Sequence, residues 1–289
     1  MSDGRARAVT MLVAGACVIG LAPILVRLSG AGPAATGFWR LLFALPLLAL
    51  PSLGRPRQLS GTTRFAVLAG AAFALDLACW HYGIANTSVA KATVLANITP
   101  IIVTIAVWLI FHQRPAPLFV VAVALSVAGG AIMALAKGAG VIGPNPLLGD
   151  TLSAVTSVWY ALYFLAMSEA RRRQSTTQVM FWSSLTGIPV LLAIAWGLGE
   201  HVVPATPGAW GACAGLGAVH VGGQGLIAWA LGRLPPSTAA VTVLVQPVVT
   251  TTLGWLIFGE LLSPWQAVGA GLALTGVVLA QRASAAPKA

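Results

Sequence analysis

Apolar residues run through this chain in ten long stretches, each separated from the next by a short cluster of polar or turn-forming residues. The stretches cover residues 8–28, 34–53, 64–84, 90–111, 118–136, 148–169, 177–197, 208–230, 237–258 and 264–281. A helix needs roughly 20 apolar residues to cross the hydrocarbon core of a bilayer. Lipid offers backbone N–H and C=O groups no water partner, so each stretch must satisfy its own, as a helix does. The pattern predicts an all-α membrane protein of ten transmembrane helices, with no room for a sizeable soluble domain.

The pattern then repeats. Shifted by 147 residues, Pro100 falls on Pro247, Trp108-Leu109-Ile110-Phe111 on Trp255-Leu256-Ile257-Phe258, Pro117 on Pro264, Leu125 on Leu272 and Gly129 on Gly276. Shifted by 143, Phe38-Trp39 and Pro46 fall on Phe181-Trp182 and Pro189. Two five-helix units follow, residues 1–140 and 141–289. An odd number of helices forces the second unit into the membrane from the opposite side. The loops agree: Gln113-Arg114 is basic, and its repeat partner carries Glu260. An inverted 5+5 repeat is a common plan of secondary transporters, whose halves rock about a central site.

Composition changes the picture only by strengthening it. With 58% hydrophobic and 8% charged residues, against about a quarter charged in soluble domains, the surface must be solvated by lipid. The net charge of +10 reflects the positive-inside rule and not a nucleic-acid partner. Counting loops alternately, one side holds Arg5, Arg7, Arg55, Arg57, Arg64, Arg114, Arg171, Arg172, Arg173, Arg233, Arg282 and Lys288; the other holds Arg27, Lys91 and Lys137. This bias places both termini in the cytoplasm. Arg171-Arg172-Arg173 reads as a topology anchor that also meets anionic lipid. The first stretch, from Val9, has no clear cleavage site and reads as a retained helix. Cys17, Cys79 and Cys213 stand alone as small core residues, with no metal motif and no disulfide framework. No GxSxG, HExxH or GxxxxGK[ST] motif occurs, so neither an enzyme nor a self-contained ATP-driven pump is expected, and no cofactor.

Candidate chemistry lies on stripes. Thr93, Asn97, Pro100 and Thr104 share one face of the fourth helix, and Thr238, Thr242, Gln246 and Thr250 one face of the ninth. His220 and Gln224 pair on the eighth; Trp159 and Tyr163, with Thr156 and Tyr160 nearby, on the sixth; Asp76, Trp80 and His81 lie on the third. Polar groups in lipid are costly, so these should face a path through the protein. Mid-span Pro23, Pro100 and Pro247 are candidate hinges. The fifth and tenth helices carry almost no polar side chains and should face outward. Their glycines suit close packing, as a monomer or across a weak homodimer.

Ten helices, an inverted repeat and the run from Gln246-Pro247 through Trp255-Leu256-Ile257-Phe258-Gly259-Glu260 resemble the drug/metabolite transporter superfamily, EamA type. The first half departs from that run at Thr99-Pro100 and His112-Gln113. Trp159 with its tyrosines, and Asn97 before Pro100, resemble the YddG-type aromatic amino-acid exporter branch. The resemblance implies a bacterial cytoplasmic-membrane exporter of amino acids or similar small metabolites, working by alternating access, either as a facilitator or as a proton antiporter.

On that reading Asp76 accepts a substrate ammonium or cycles a proton, against the alternative of a helix-packing acid. Trp159, Tyr160 and Tyr163 form an aromatic wall or ordinary packing, and His81 is a gate or pH-sensitive group. His220, Gln224, Asn97 and Gln246 contact the cavity or bond neighbouring helices. Arg40 snorkels to the outer interface or pairs with Asp150 or Glu200, with a substrate carboxylate as its third reading. Tyr82, Trp39, Trp182, Trp210 and Trp265 read as an interfacial belt. The competing functions are efflux of cationic drugs by proton antiport and a non-transporting membrane scaffold.

Overall fold

In a computed structural model of the chain, residues 3–52, 59–87, 89–136, 144–258 and 263–284 are described. Arg55, Arg57, Lys137, Gly259, Glu260 and Lys288 lie outside them, as do the side chains of Arg27, Lys91 and Trp255. The charge reversal expected at Glu260 therefore falls outside the described residues.

All regular structure among the described residues is helical. The helices are α1 (Asp3–Ile19), α2 (Ala22–Leu28), α3 (Pro33–Ala49), α4 (Arg64–Asn86), α5 (Val89–Ala96), α6 (Thr99–Phe111) and α7 (Pro117–Ala136), then α8 (Pro146–Ala170), α9 (Thr176–Gly197), α10 (Pro207–Val219), α11 (Gly225–Leu231), α12 (Pro236–Val243), α13 (Val245–Phe258) and α14 (Pro264–Ala283). A π-helical turn, His220–Gln224, joins α10 to α11. Among the described residues seven stretches are long and apolar enough to cross a membrane, and Pro33–Ala49 is a shorter apolar helix. Leu109, Ile110, Leu135, Leu256 and Val278 are exposed, as lipid-facing side chains must be.

The candidate hinges, together with the π turn between α10 and α11, explain why the number of helices exceeds the number of apolar stretches. A proline ring clashes with the carbonyl four residues before it. Counting back four from Pro23, Pro100 and Pro247 gives Ile19, Ala96 and Val243, the last residues of α1, α5 and α12. Each proline thus stands in the first turn of a new helix, and is not a kink within a continuous one. A proline alone is not sufficient, since Pro46 and Pro189 remain inside α3 and α9. Side chains support two of the breaks: Thr99 Oγ1 donates to the Ala96 carbonyl at 2.8 Å, and Thr250 Oγ1 to the Gly20 carbonyl at 3.1 Å.

Helix pairing follows the repeat. Helix α7 lies along α14, α3 along α9, and α6 meets α12, each pair drawn from corresponding places in the two units. The α7–α14 seam shows the relation residue by residue. A side chain at Gly129 would strike the backbone of Gly269 and Ala273; one at Gly276 would strike Ala122 and Ser126. These are the same contacts exchanged by the 147-residue shift, and Ser126 Oγ donates to the carbonyl of its own counterpart Ala273 at 3.3 Å. The seam lies within one chain and uses the glycines read as suited to close packing, apart from Gly271, whose Cβ would meet nothing.

Helix α4 is clamped between α8 and α9. Gly83 and Gly149 allow its outer part to touch α8, and Gly70 lies on the Ser183 backbone of α9. This clamp brings the two units together around the middle of α4.

The two ends of the molecule differ in charge. At one end Arg5 donates to the Gln281 carbonyl at 3.2 Å, tying α1 to α14. There Arg7 and Arg233 both lie over the Trp229 ring, and Arg171 donates to the Ala228 carbonyl at 3.2 Å. At the other end, Glu200 accepts from the Ala34 and Ala35 amides at 3.0 and 2.8 Å and from the Tyr82 hydroxyl. Asp150 accepts from Thr87 Oγ1 at 2.7 Å.

A tryptophan closes each end. Trp39 of α3 donates to the Val202 carbonyl at 2.6 Å, and Trp182 of α9 donates to the Leu59 carbonyl at 2.9 Å. Neither indole is a free belt residue. Trp210 packs edge-on against Trp39 at 4.6 Å, whereas Trp265 is exposed as expected of a belt.

Candidate functional site

Mid-molecule, side chains from both units converge. Arg40 of α3, Phe73 and Asp76 of α4, Tyr160 and Tyr163 of α8, Ser184 of α9 and His220 and Gln224 of the π turn form one cluster. The α3 face that carries Arg40 is the buried one, with Thr36, Gly37, Leu41, Ala44 and Leu48. On α4, Phe73 and Asp76 are one turn apart and both buried. The π turn adds a residue to the helical repeat, which directs His220 and Gln224 inward together.

Arg40 is only 3% exposed, and its guanidinium carbon lies 5.4 Å from the Phe73 ring centre. Asp76 is buried in the same cluster on α4 and interacts with Arg40 electrostatically. The Phe73 ring is 4.8 Å from Tyr163 and 5.3 Å from His220. Tyr160 stacks on Tyr163 with ring centres 5.8 Å apart and planes 6° from parallel. Gln224 Nε2 donates to the Tyr163 hydroxyl at 2.9 Å, and Ser184 Oγ and His220 Nε2 share a hydrogen bond of 3.1 Å. Arg40 Nε and His220 Nδ1 are buried without a hydrogen-bond partner.

Chemically this is a buried cation and a buried anion beside a flat aromatic surface, with two unsatisfied nitrogens. A buried unsatisfied polar group costs about 1–3 kcal/mol. An arriving carboxylate would relieve that cost at Arg40, and an ammonium would meet Asp76.

Five of the expected site residues, Asp76, Tyr160, Tyr163, His220 and Gln224, come together here. The others do not join them. His81 is buried toward the acidic end, where its Nδ1 bonds the Pro33 carbonyl at 2.7 Å, and Trp80 packs beside it. Asn97 points at α7: a side chain on Gly130 would meet its Nδ2 at 3.0 Å. Trp159 is half-buried against the apolar core. Gln246 has a buried Nε2 with no partner. Arg40, Phe73 and Ser184 are additions. Arg40 is buried and does not snorkel; Glu200 is engaged by the Ala34 and Ala35 amides and Tyr82, and Asp150 by Thr87, not by Arg40. The i, i+4 run Thr36–Arg40–Ala44 beside Gly37–Leu41–Leu48 was the available signal of an inward face.

A separate cavity of about 520 Å³ opens nearer the basic end, lined by Arg7, Met11, Leu47, Met180, Gly222 and Trp229 among others. No cluster residue lines it. Among the described residues no three His, Cys, Asp or Glu side chains group as metal ligands.

The architecture and the duplicated seam agree with the family comparison. The model of the EamA-like transporter family matches twice, over residues 6–135 and 147–281. The chain belongs to the EamA-like transporter family of the drug/metabolite transporter superfamily. The family is one of membrane transporters, and the several long apolar helices of this chain are those of a multi-pass membrane protein. A pseudopaline exporter, CntI, of Pseudomonas aeruginosa is 28% identical over 191 residues, covering 65% of this chain and 64% of that protein. This chain thus spans just under two thirds of the length of the first curated relatives it matches. An uncharacterized transporter of Archaeoglobus fulgidus is 27% identical over 94% of this chain and 95% of its own. A crystal structure superposes with a TM-score of 0.81, covering 96% of this chain and 98% of that one at 18% identity, and so shares the fold. Members of this EamA-like family are transporters and not enzymes.

Proposed function

We propose that this EamA-like transporter is a secondary transporter that exports amino acids or similar small zwitterionic metabolites across the bacterial cytoplasmic membrane by alternating access. The observation that carries this reading is the buried Arg40 and Asp76 beside Phe73, Tyr160 and Tyr163, with Arg40 Nε unsatisfied. Arg40 takes the substrate carboxylate and Asp76 its ammonium. The aromatic rings take an apolar or aromatic side chain, and His220 and Gln224 bound the site. A cationic drug would need Asp76 without a competing cation; Arg40 beside it favours a substrate bearing both charges. The relative named as an exporter supports the direction of transport.

Ten membrane crossings in two inverted units, residues 1–140 and 141–289, complete the proposal. The crossings are α1 with α2, α3, α4, α5 with α6, α7, α8, α9, α10 through α11, α12 with α13, and α14. The exchange-symmetric seam and the double family match support this division. The basic end, where α1 begins and α14 ends, faces the cytoplasm by the positive-inside rule. Pro23, Pro100 and Pro247 serve as hinges at the breaks.

Uptake into liposomes tests the substrate. Purified protein is offered a panel of radiolabelled amino acids and cationic dyes, with and without a pH gradient. Movement of at least one amino acid, lost in Arg40→Gln, is expected. Movement of dyes alone, or of amino acids undiminished by that substitution, would overturn the reading.

A further inference from the structure

The two tryptophan bonds are related by the repeat at both of their ends. The shift of 143 that carries Trp39 to Trp182 also carries Leu59 to Val202. Trp39 donates to Val202, and Trp182 donates to Leu59. Each bond therefore joins the second crossing of one unit to the loop that follows the second crossing of the other. Donor and acceptor exchange places between units. Both indoles occupy the seventh position of their helices, α3 beginning at Pro33 and α9 at Thr176.

The surroundings repeat the same arrangement at lower fidelity. At the acidic end the 200–202 loop is also held by the Ala34 and Ala35 amides on Glu200, and by the Gly32 amide on the His201 carbonyl at 3.2 Å. At the basic end the 59–61 loop is also held by Gln178 Nε2, which donates to the Ser60 carbonyl at 2.7 Å and the Gly61 carbonyl at 2.9 Å. Gln178 is itself the 143-residue counterpart of Ala35. The contacts lie on opposite sides of the Arg40–Asp76 cluster and cross between units. Separating the units at one end must break that end's indole bond, while the other survives.

We infer that Trp39 and Trp182 are positioning residues for transport: each indole latches one end of the molecule shut, and the transport cycle releases them in alternation. Both latches are formed here, which closes the cluster from both ends. The inference rests on the alternating-access reading but not on the substrate.

Electron-spin distance measurements in liposomes test it. Cys17, Cys79 and Cys213 are first replaced by serine. Spin labels go on Ala85 and Leu198 at the acidic end, and in a second protein on Thr62 and Arg173 at the basic end; all four positions are exposed. Trp39→Phe keeps an aromatic ring and removes the donor. It is expected to raise the ratio of long to short distances at the acidic end by roughly three- to tenfold, leaving the basic end unchanged. Trp182→Phe is expected to do the reverse. General loosening would move both pairs in both variants, and that result, or no movement in either, would overturn the proposal. If either variant does not fold, Glu200→Ala and Gln178→Ala release the same two loops and carry the same opposed expectation. Failure of amino-acid uptake with the opposed pattern intact would remove the substrate and leave the latches.

Discussion

Arg40 gathers the problem of this protein into one side chain. A guanidinium buried in a membrane protein is costly unless a charge meets it, and Asp76 attracts it from α4. If the pair is only structural, removing both charges should restore what removing one destroys. If it also binds substrate, stability returns and transport does not. The expected outcome is therefore a split. Arg40→Gln and Asp76→Asn each lower thermal stability, the double variant recovers much of it, and all three lose transport by about 10- to 100-fold, the worth of one charge-assisted hydrogen bond. Unfolding in detergent and liposome uptake, measured on the same four proteins, check this.

The same scale shows why the sequence reads the cluster only partly. Asp76, Tyr160, Tyr163, His220 and Gln224 are polar among apolar neighbours, and such residues declare themselves. Arg40, near a helix end, imitates a snorkelling side chain, and Phe73 imitates core. The stripes of the fourth and ninth crossings mislead for a different reason. Thr104 donates to the Pro100 carbonyl at 2.7 Å and Thr242 to the Thr238 carbonyl at 2.7 Å. A threonine satisfied by its own helix needs no aqueous path, so a threonine stripe is weak evidence for one.

At the scale of elements, glycine contacts decide which helices touch. The α7–α14 seam has backbone against backbone at Gly129 and Gly276. Leucine at Gly129 has nowhere to go, and overpacking of this kind costs about 1–3 kcal/mol. Gly129→Leu is expected to lower the unfolding temperature in detergent, whereas Gly271→Leu, which meets open space, is expected to leave it unchanged. Fluorescence-monitored thermal melts compare the two. Periodicity reveals the glycines in the sequence but not their partner, because a helix dimer and an intrachain seam have the same pattern. Helix breaks are better encoded. The i−4 relation from Pro23, Pro100 and Pro247 reaches the last residues of α1, α5 and α12, although hydropathy alone runs through all three.

For the whole molecule, the described charges are biased by end: Arg5, Arg7, Arg171, Arg172 and Arg233, with Asp3 and Glu169 among them, against Glu200 and Asp150. The repeat and the basic bias, both visible in the sequence, lead to one topology. Cysteine at Ser284 is expected to react with an impermeant maleimide only from the cytoplasmic face of cells, and cysteine at Leu198 only from the outer face. Labelling of both from one face would remove the proposed orientation.

The seam between α7 and α14 has a mechanical meaning as well. Surfaces that meet backbone to backbone at several points cannot slide past one another, but they can turn. In the proposed alternating-access cycle α7 and α14 would serve as an axle and the remaining helices of each unit as the arms of a lever, so that a small rotation at the seam would become a large displacement at the far ends. Stiffness there is then a condition for motion elsewhere: loosening the axle would waste the rotation before it reached the load.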